Sequence, residues 1–406
     1  MPSVMIGTDA DTEEIIRLDD IERRSGLYIL GRMGRGKTTF IKKLIEQDMD
    51  NGHGVFFLDP HGDAVEDLLK RIPARRQDDV IILDPSDERY SFGMNLLTCP
   101  DPDNMTQRSR TFAQAIDIFR KLFANIQTEE LDILLNQYLR NSFFPLIANQ
   151  GLTILEIPLL LEDKQLRNRL LQHPAIRPEV KRFWHTKFDG LSPTDRAKET
   201  ASTERRLDPF GDFDQIRHIV GQSTNTIDLF TIMQERKILF VKLSKNLPPD
   251  AWRIIGTILV SNLVHAVRQR EHIPEQARRH FCIFVDEFQN FASSEDFAVL
   301  FTEARKYAIA TTIAHQERYG QFADNKRITG ATDAAVIKIF FQVTPHDARE
   351  QAAEFTTVTT TTETRLEPEY VISQSPFWDL LQRGHKNPHI QAYVDKYFVK
   401  LYDFLD

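Results

Sequence analysis

Residues 28–40 read YILGRMGRGKTTF. A short apolar run stops at Gly31, and Gly31–Thr38 then follows the spacing G-x-x-x-x-G-K-[ST]. Glycines at 34 and 36 let the backbone curl until several N–H groups point into one concavity. A helix starting at that point adds its positive end to the same spot. The stretch therefore demands a strand before it and a helix after it, with a phosphate held between them. Lys37 would reach the outer phosphates, and the hydroxyl of Thr38 would face Mg²⁺. Gly34, Arg35, Gly36, Lys37, Thr38 and Thr39 form the expected nucleotide-binding set.

The rest of the chain supports an α/β fold. Strands are expected at 27–31, 54–59 (GVFFLD) and 79–84 (DVIILD), with a helix over 38–50. Unbroken apolar runs of this length suit a parallel sheet covered on both faces. From 105 to about 205 the strand signal stops and apolar residues recur at helical spacing, as in FAQAIDIFRKLF. Strands return at 237–244, 281–287, 310–316 and 337–342, with a long helix over 249–271. The expected organisation is an ATPase-type α/β domain begun by 1–104, an inserted all-helical domain at 105–210, the rest of the α/β domain at 211–350, and an extension at 351–406 that packs back on the core. The threonine-rich stretch 356–365 reads as exposed strand or hairpin. Lys164, Arg167, Arg169, Arg177, Lys181, Arg182 and Lys187 read as a solvated helix surface.

Composition excludes several classes. The 406 residues carry 51 Lys and Arg against 59 Asp and Glu, a net charge of −8, so a nucleic-acid partner needs a local basic channel. Two cysteines, Cys99 and Cys282, stand far apart, which argues against a zinc site or disulfide framework and fits a reducing cytoplasm. The most apolar long stretch, 254–267, is too short to span a bilayer and contains Ser261, Asn262 and His265; it reads as a buried helix.

Hydrolysis needs a metal partner and a polarised water. FCIFVDEFQNF (281–291) delivers Asp286 and Glu287 to a strand tip, the edge where ligands sit in open parallel sheets. Asp286 would help hold Mg²⁺, and Glu287 would act as base or orienter for the attacking water. Gln316 ends the next expected strand and would place its amide beside the γ-phosphate. Arg305, on the helix between, is the residue type that neutralises a phosphoryl transition state, often from a neighbouring subunit. Asp59 and His61, in FFLDPHGD, either line the site or only shape its loop.

These segments occur in an order that resembles one group of proteins. GRMGRGKTTF, GVFFLDPHGDAVEDLLKRIP, IRHIVGQSTNTIDLFTIMQERKILFVKLSK, FCIFVDEFQNFAS and TEARKYAIATTIAHQ together look like the HerA/FtsK superfamily, specifically the conjugative coupling ATPases of type IV secretion. The likeness covers roughly residues 20–350. It implies a RecA-like P-loop NTPase fold with an additional strand and mostly parallel sheet, the cofactors ATP and Mg²⁺, and a hexameric ring that moves DNA through its centre. By the same resemblance Lys37 and Thr38 are phosphate and metal contacts, Asp286 and Glu287 metal and water residues, Gln316 a sensor, and Arg305 an arginine finger acting in trans. Membrane-bound coupling proteins carry N-terminal membrane helices. Here the phosphate loop begins some thirty residues in, so either a soluble member or a fragment is expected. A nuclease, a relaxase or a membrane secretion component are the partners this implies. The competing readings are an ATPase subunit serving a separate nuclease, and a nucleotide-dependent scaffold without translocation.

Overall fold

Seven strands, all but the edge strand at 80–83 almost wholly buried, build the core of one part of the chain. A computed structural model describes residues 2–9, 12–87, 89–123, 129–243, 247–291, 296, 299–318, 326–333 and 335–359. The expected extension beyond 359 lies outside the described residues. The chain divides into two compact units. One holds Met1–Ile82, Phe230–Lys242 and Ala266–Asp406; the other holds Leu83–Leu229 and Leu243–His265.

The first unit opens with an antiparallel pair, β1 (Ser3–Thr8) and β2 (Ile15–Asp19). Gln47 ties this pair to the helix Lys37–Asp50, accepting from the Met5 amide at 2.7 Å and donating to the Met5 carbonyl at 3.0 Å. The main sheet contains β3 (Leu27–Leu30), β4 (Gly54–Asp59), β5 (Val80–Leu83), β6 (Ile238–Lys242), β7 (Phe281–Val285), β8 (Ile309–His315) and β9 (Ile337–Phe340). Their order is β5-β6-β4-β7-β8-β3-β9. The pairs β4–β6, β4–β7, β7–β8, β3–β8 and β3–β9 are all parallel. The additional strand is β8, which separates the phosphate-loop strand β3 from the acidic strand β7.

The interior explains the apolar runs. Ile29, Val55, Phe57, Ile238, Phe240, Cys282 and Phe284 pack with Phe40, Ile41, Leu44 and Ile45 of the helix Lys37–Asp50. One pair of ions lies inside this core. Arg23 donates twice to Asp48, at 2.5 and 2.8 Å, and both side chains are almost completely shielded. Such a pair needs good two-pronged geometry to offset the loss of water around both charges.

The second unit is helical. Its longest elements are Met105–Phe123, Glu129–Ala148, Pro193–Asp212 and Pro249–Gln269, the last as far as His265. The segment 254–267 is indeed a buried helix: Ile254, Ile255, Ile258, Leu259, Val260, Leu263 and Val264 are all shielded. Among the described residues, no helix is long and apolar enough to cross a membrane. A π-helical turn, Phe183–Phe188, carries Trp184 and Phe188 into a cluster with Tyr138, Leu161 and Leu171.

Two expectations change. Arg167 is not on a solvated surface; it is buried, donates to Asp189 at 2.5 Å, and lies over the rings of Trp184 and Phe188. An arginine stem with a delocalised head can be buried when an acid and aromatic faces receive it. Lys164, Arg169, Arg177, Arg182 and Lys187 are exposed as expected. The first four residues of 356–365 extend the helix Pro345–Thr359 rather than a strand. Thr344 starts that helix by accepting from the Asp347 amide at 3.1 Å, and an established helix overrides the local preference of threonine. Residues 360–365 lie outside the described residues.

Candidate active site

The register of the sheet brings three strand tips together. Leu30 of β3 stands opposite His315 of β8, and Val285 of β7 opposite Ile313. All three strands run the same way, so Gly31, Gln316 and Asp286 emerge on one edge.

The loop after β3 depends on glycine at particular points. Gly31 lies against β9, where an added Cβ would come within 2.5 Å of Phe341 Cβ. Gly34 and Gly36 have φ of +71° and +96°, and Gly36 is the residue from which the helix Lys37–Asp50 springs. Side chains rarely adopt those angles. Arg35 is exposed on this loop, and Thr38 and Thr39 are half-buried. Lys37 is buried, and its Nζ donates to the carbonyls of Gly31 at 2.5 Å and Arg32 at 3.2 Å, which closes the loop on itself. Burial lowers the Lys37 pKa, while the charges of Glu287 and Asp286 act to raise it.

The acidic tip meets this loop directly. Thr38 Oγ1 donates to Asp286 Oδ2 at 3.0 Å. Asp286 and Glu287 are both buried. Burial, and then the neighbouring charge of Glu287, push the Asp286 pKa up to about 6, against the opposing effects of Thr38 and Lys37. Glu287 itself has φ +46° and ψ +45°, left-handed backbone on a residue that is not glycine. Conformations of this kind store strain and gather at functional sites. Gln316 donates from Nε2 to Glu287 Oε1 at 2.7 Å, so the amide at the tip of β8 and the carboxylate after β7 are in contact.

Thr38 and Asp286 thus offer two hard oxygen donors at hydrogen-bond distance, beside a glycine cradle lined by amides. This donor set fits Mg²⁺, which takes one or two protein oxygens and completes its shell with water and phosphate.

The other expected residues take no part in these contacts. Asp59 shapes its loop: one carboxylate oxygen accepts from the His61 amide at 2.9 Å, the other from Ala64 and Val65 at 2.8 and 3.1 Å, at the start of the helix Asp63–Leu69. His61 is exposed. Arg305 is exposed on the single-turn helix Ala304–Tyr307, just before β8. Gln316 follows that seven-residue strand, which spans about 20 Å, so the two residues stand at opposite ends of it.

A second cluster, unforeseen from the sequence, lies at the N-terminal ends of β4 and β7. Asp20, His53 and His280 bring their ligand atoms within 4.8 Å of one another, and all are buried. The spacing would suit a metal, but the hydrogen bonding does not. Arg24 Nε donates to His280 Nδ1 at 3.3 Å, which puts the proton of the neutral ring on Nε2, the atom 3.7 Å from Asp20. A ligating histidine needs the opposite arrangement, with its far nitrogen donating. His53 Nε2 is bonded to the same Asp20 oxygen at 3.0 Å. No spacing in the sequence announces this set, because residues 20, 53 and 280 meet only through the sheet.

Comparison with solved structures places the fold. The bacterial conjugative coupling protein TrwBdeltaN70 superposes with a TM-score of 0.57, at 16% identity over 88% of this chain and 77% of that one. The plasmid coupling protein TrwB in complex with ADP and Mg²⁺ matches at 0.53, 16% identity, 88% and 78%. VirB4 of Thermoanaerobacter pseudethanolicus matches at 0.54, 14% identity, 92% and 91%. No protein-family model and no curated protein matches the sequence. The chain therefore has the P-loop NTPase fold seen in conjugative coupling proteins and VirB4.

Proposed function

We propose that the chain is an ATP-hydrolysing motor subunit of the HerA/FtsK type that works as a ring, most simply a hexamer, and moves DNA through its centre. The observation that carries this is the joined constellation at the sheet edge: Thr38 bonded to Asp286, and Gln316 bonded to Glu287. A switch or a passive binding site has no use for a buried carboxylate aimed by an amide. Repeated hydrolysis does.

In this reading the amides of Gly34–Thr39 and the Lys37 ammonium hold the phosphates. Thr38 and Asp286 hold Mg²⁺, which when bound neutralises phosphate charge. Glu287 receives a hydrogen bond from the attacking water and turns it toward the γ-phosphate. Gln316 fixes the Glu287 carboxylate and reports on the phosphate without adding charge. Arg305 acts on a neighbouring subunit. The TrwB structure holding ADP and Mg²⁺ supports the cofactor assignment.

The test is turnover by the full chain with and without DNA. Glu287→Gln is expected to abolish ATP hydrolysis and retain nucleotide binding, and DNA to raise wild-type turnover several-fold with a strong salt dependence. Hydrolysis by Glu287→Gln at the wild-type rate would overturn the site. Wild-type turnover that DNA leaves unchanged would remove the pump and leave an ATPase that serves a separate nuclease or secretion partner.

A further inference from the structure

His315 is the last residue of β8, fully buried directly beneath Gln316. On one side its Nε2 is hydrogen-bonded to the Tyr28 hydroxyl, and the two rings are 5.3 Å apart. Tyr28 belongs to β3, the strand that carries the phosphate loop. On the other side the ring of Phe288 stands edge-on to His315, also at 5.3 Å and at 78°. Phe288 is the residue after Glu287. One imidazole thus touches the strand that feeds the phosphate loop, immediately precedes the residue whose amide binds Glu287, and packs on the residue that follows Glu287.

That arrangement answers a question the site leaves open. Glu287 holds left-handed backbone, which costs a residue with a side chain about 1–2 kcal/mol and persists only when its surroundings enforce it. Phe288 is fully buried, so the backbone that follows Glu287 is anchored at its next side chain. The wall against which Phe288 lodges is His315, and the hydroxyl of Tyr28 holds the imidazole in place. We propose that Tyr28, His315 and Phe288 are positioning residues for hydrolysis: they hold the strained Glu287 turn and the Gln316 amide in register, and so set the rate of the chemical step without adding to nucleotide affinity. The inference rests on the reading of Glu287 as the water-orienting residue. None of the three side chains is among those that form the phosphate loop, so their effect should appear in kcat rather than KM.

Tyr28→Phe removes one hydroxyl from a core that keeps its shape. It is expected to lower kcat about tenfold, the loss of one buried hydrogen bond expressed in the transition state, with KM for ATP within about twofold of wild type. In a Gln316→Ala background the same change is expected to cost clearly less than the full tenfold in kcat, because one of its two routes to Glu287 is already cut. Phe288→Leu is likewise expected to lower kcat and to leave KM for ATP near its wild-type value. Wild-type kcat in Tyr28→Phe, an equal loss in nucleotide affinity, or a full further loss in the Gln316→Ala background would each overturn the proposal. So would a crystal structure of Tyr28→Phe in which Glu287 keeps its positive φ and its contact with Gln316. Glu287→Gln is run beside these variants. If it is inactive while Tyr28→Phe is normal, only this inference falls; if it hydrolyses ATP normally, the reading of the site falls with it.

Discussion

Asp286 is held where its charge is least welcome. Its carboxyl is buried beside Glu287, and its pKa is pushed up to about 6 from an ordinary 3.8. A carboxyl whose pKa is raised on folding destabilises the folded state above that pKa, and the penalty disappears below the unfolded value. Asp286→Asn keeps an oxygen for Thr38 and removes the charge. It is therefore expected to raise the stability of the nucleotide-free protein by about 2–3 kcal/mol above pH 6. The gain should shrink from pH 6 to 4 and vanish below, while Mg²⁺-dependent ATP hydrolysis is lost at every pH. Denaturant titrations across that range, paired with turnover assays, check both halves. A variant no more stable than wild type at pH 7 would mean that Lys37 and Thr38 already neutralise the site. Lys37 is their complement: burial works against its charge, and the two carboxylates favour it. A doubly charged metal and a polyphosphate would then enter a site whose own charges are tensioned and nearly balanced.

Behind these side chains, the elements that carry them are locked by buried polar contacts at the opposite edge of the sheet. The short helix Asp20–Arg23 is pinned to the helix Lys37–Asp50 by the Arg23–Asp48 pair. Asp48→Ala strands a buried guanidinium and is expected to cost about 3–5 kcal/mol, whereas Arg23→Met combined with Asp48→Leu should recover most of it. Chemical denaturation of the wild type and the two variants decides this, and equal stabilities for the single and double changes would refute it. The Asp20, His53 and His280 set adds a pH dependence. Burial holds the His280 pKa down to about 2, against the pull of Asp20. A histidine lowered on folding withdraws stability as pH falls below its unfolded value near 6.5. His280→Gln is thus expected to flatten the loss of stability between pH 6.5 and 4. The sheet itself was legible in the sequence, since β3, β4, β6, β7, β8 and β9 all appear as apolar runs near their observed bounds. The candidate site was readable from the same runs: Asp286 and Gln316 follow the ends of β7 and β8, and the glycine loop that leads to Lys37 and Thr38 follows β3. The buried pairs were not. Arg23 and Asp48 look like surface charges until their strands and helices are assembled, and the aromatic wall behind Glu287 joins residues 28, 288 and 315, which no periodicity connects. The β1–β2 hairpin escaped as well, because β2 is short and mostly uncovered.

The position of Arg305 bears on assembly. A residue that neutralises charge on the γ-phosphate must reach the C-terminal edge of a sheet, yet Arg305 precedes β8 and Gln316 follows it. With about 20 Å of strand between them, an arginine side chain cannot reach the site of its own chain. If Arg305 serves hydrolysis, it serves a neighbour's, and an isolated chain should turn over slowly. A finger acting in trans should show complementation between two defective subunits. Arg305→Ala subunits keep a complete phosphate loop and lack the finger; Lys37→Ala subunits lack the loop and keep the finger. Each is expected to be inactive alone. Mixed in equal amounts, the site of the first meets the finger of the second at one interface in four, so turnover should return to about a quarter of wild type if sites fire independently. Activity should follow the product of the two fractions as the ratio is varied, and it should fall on dilution as rings dissociate. A mixture that stays inactive at every ratio, with both variants assembled, would remove Arg305 from the mechanism and leave the phosphate loop, Asp286, Glu287 and Gln316 as a site complete within one chain.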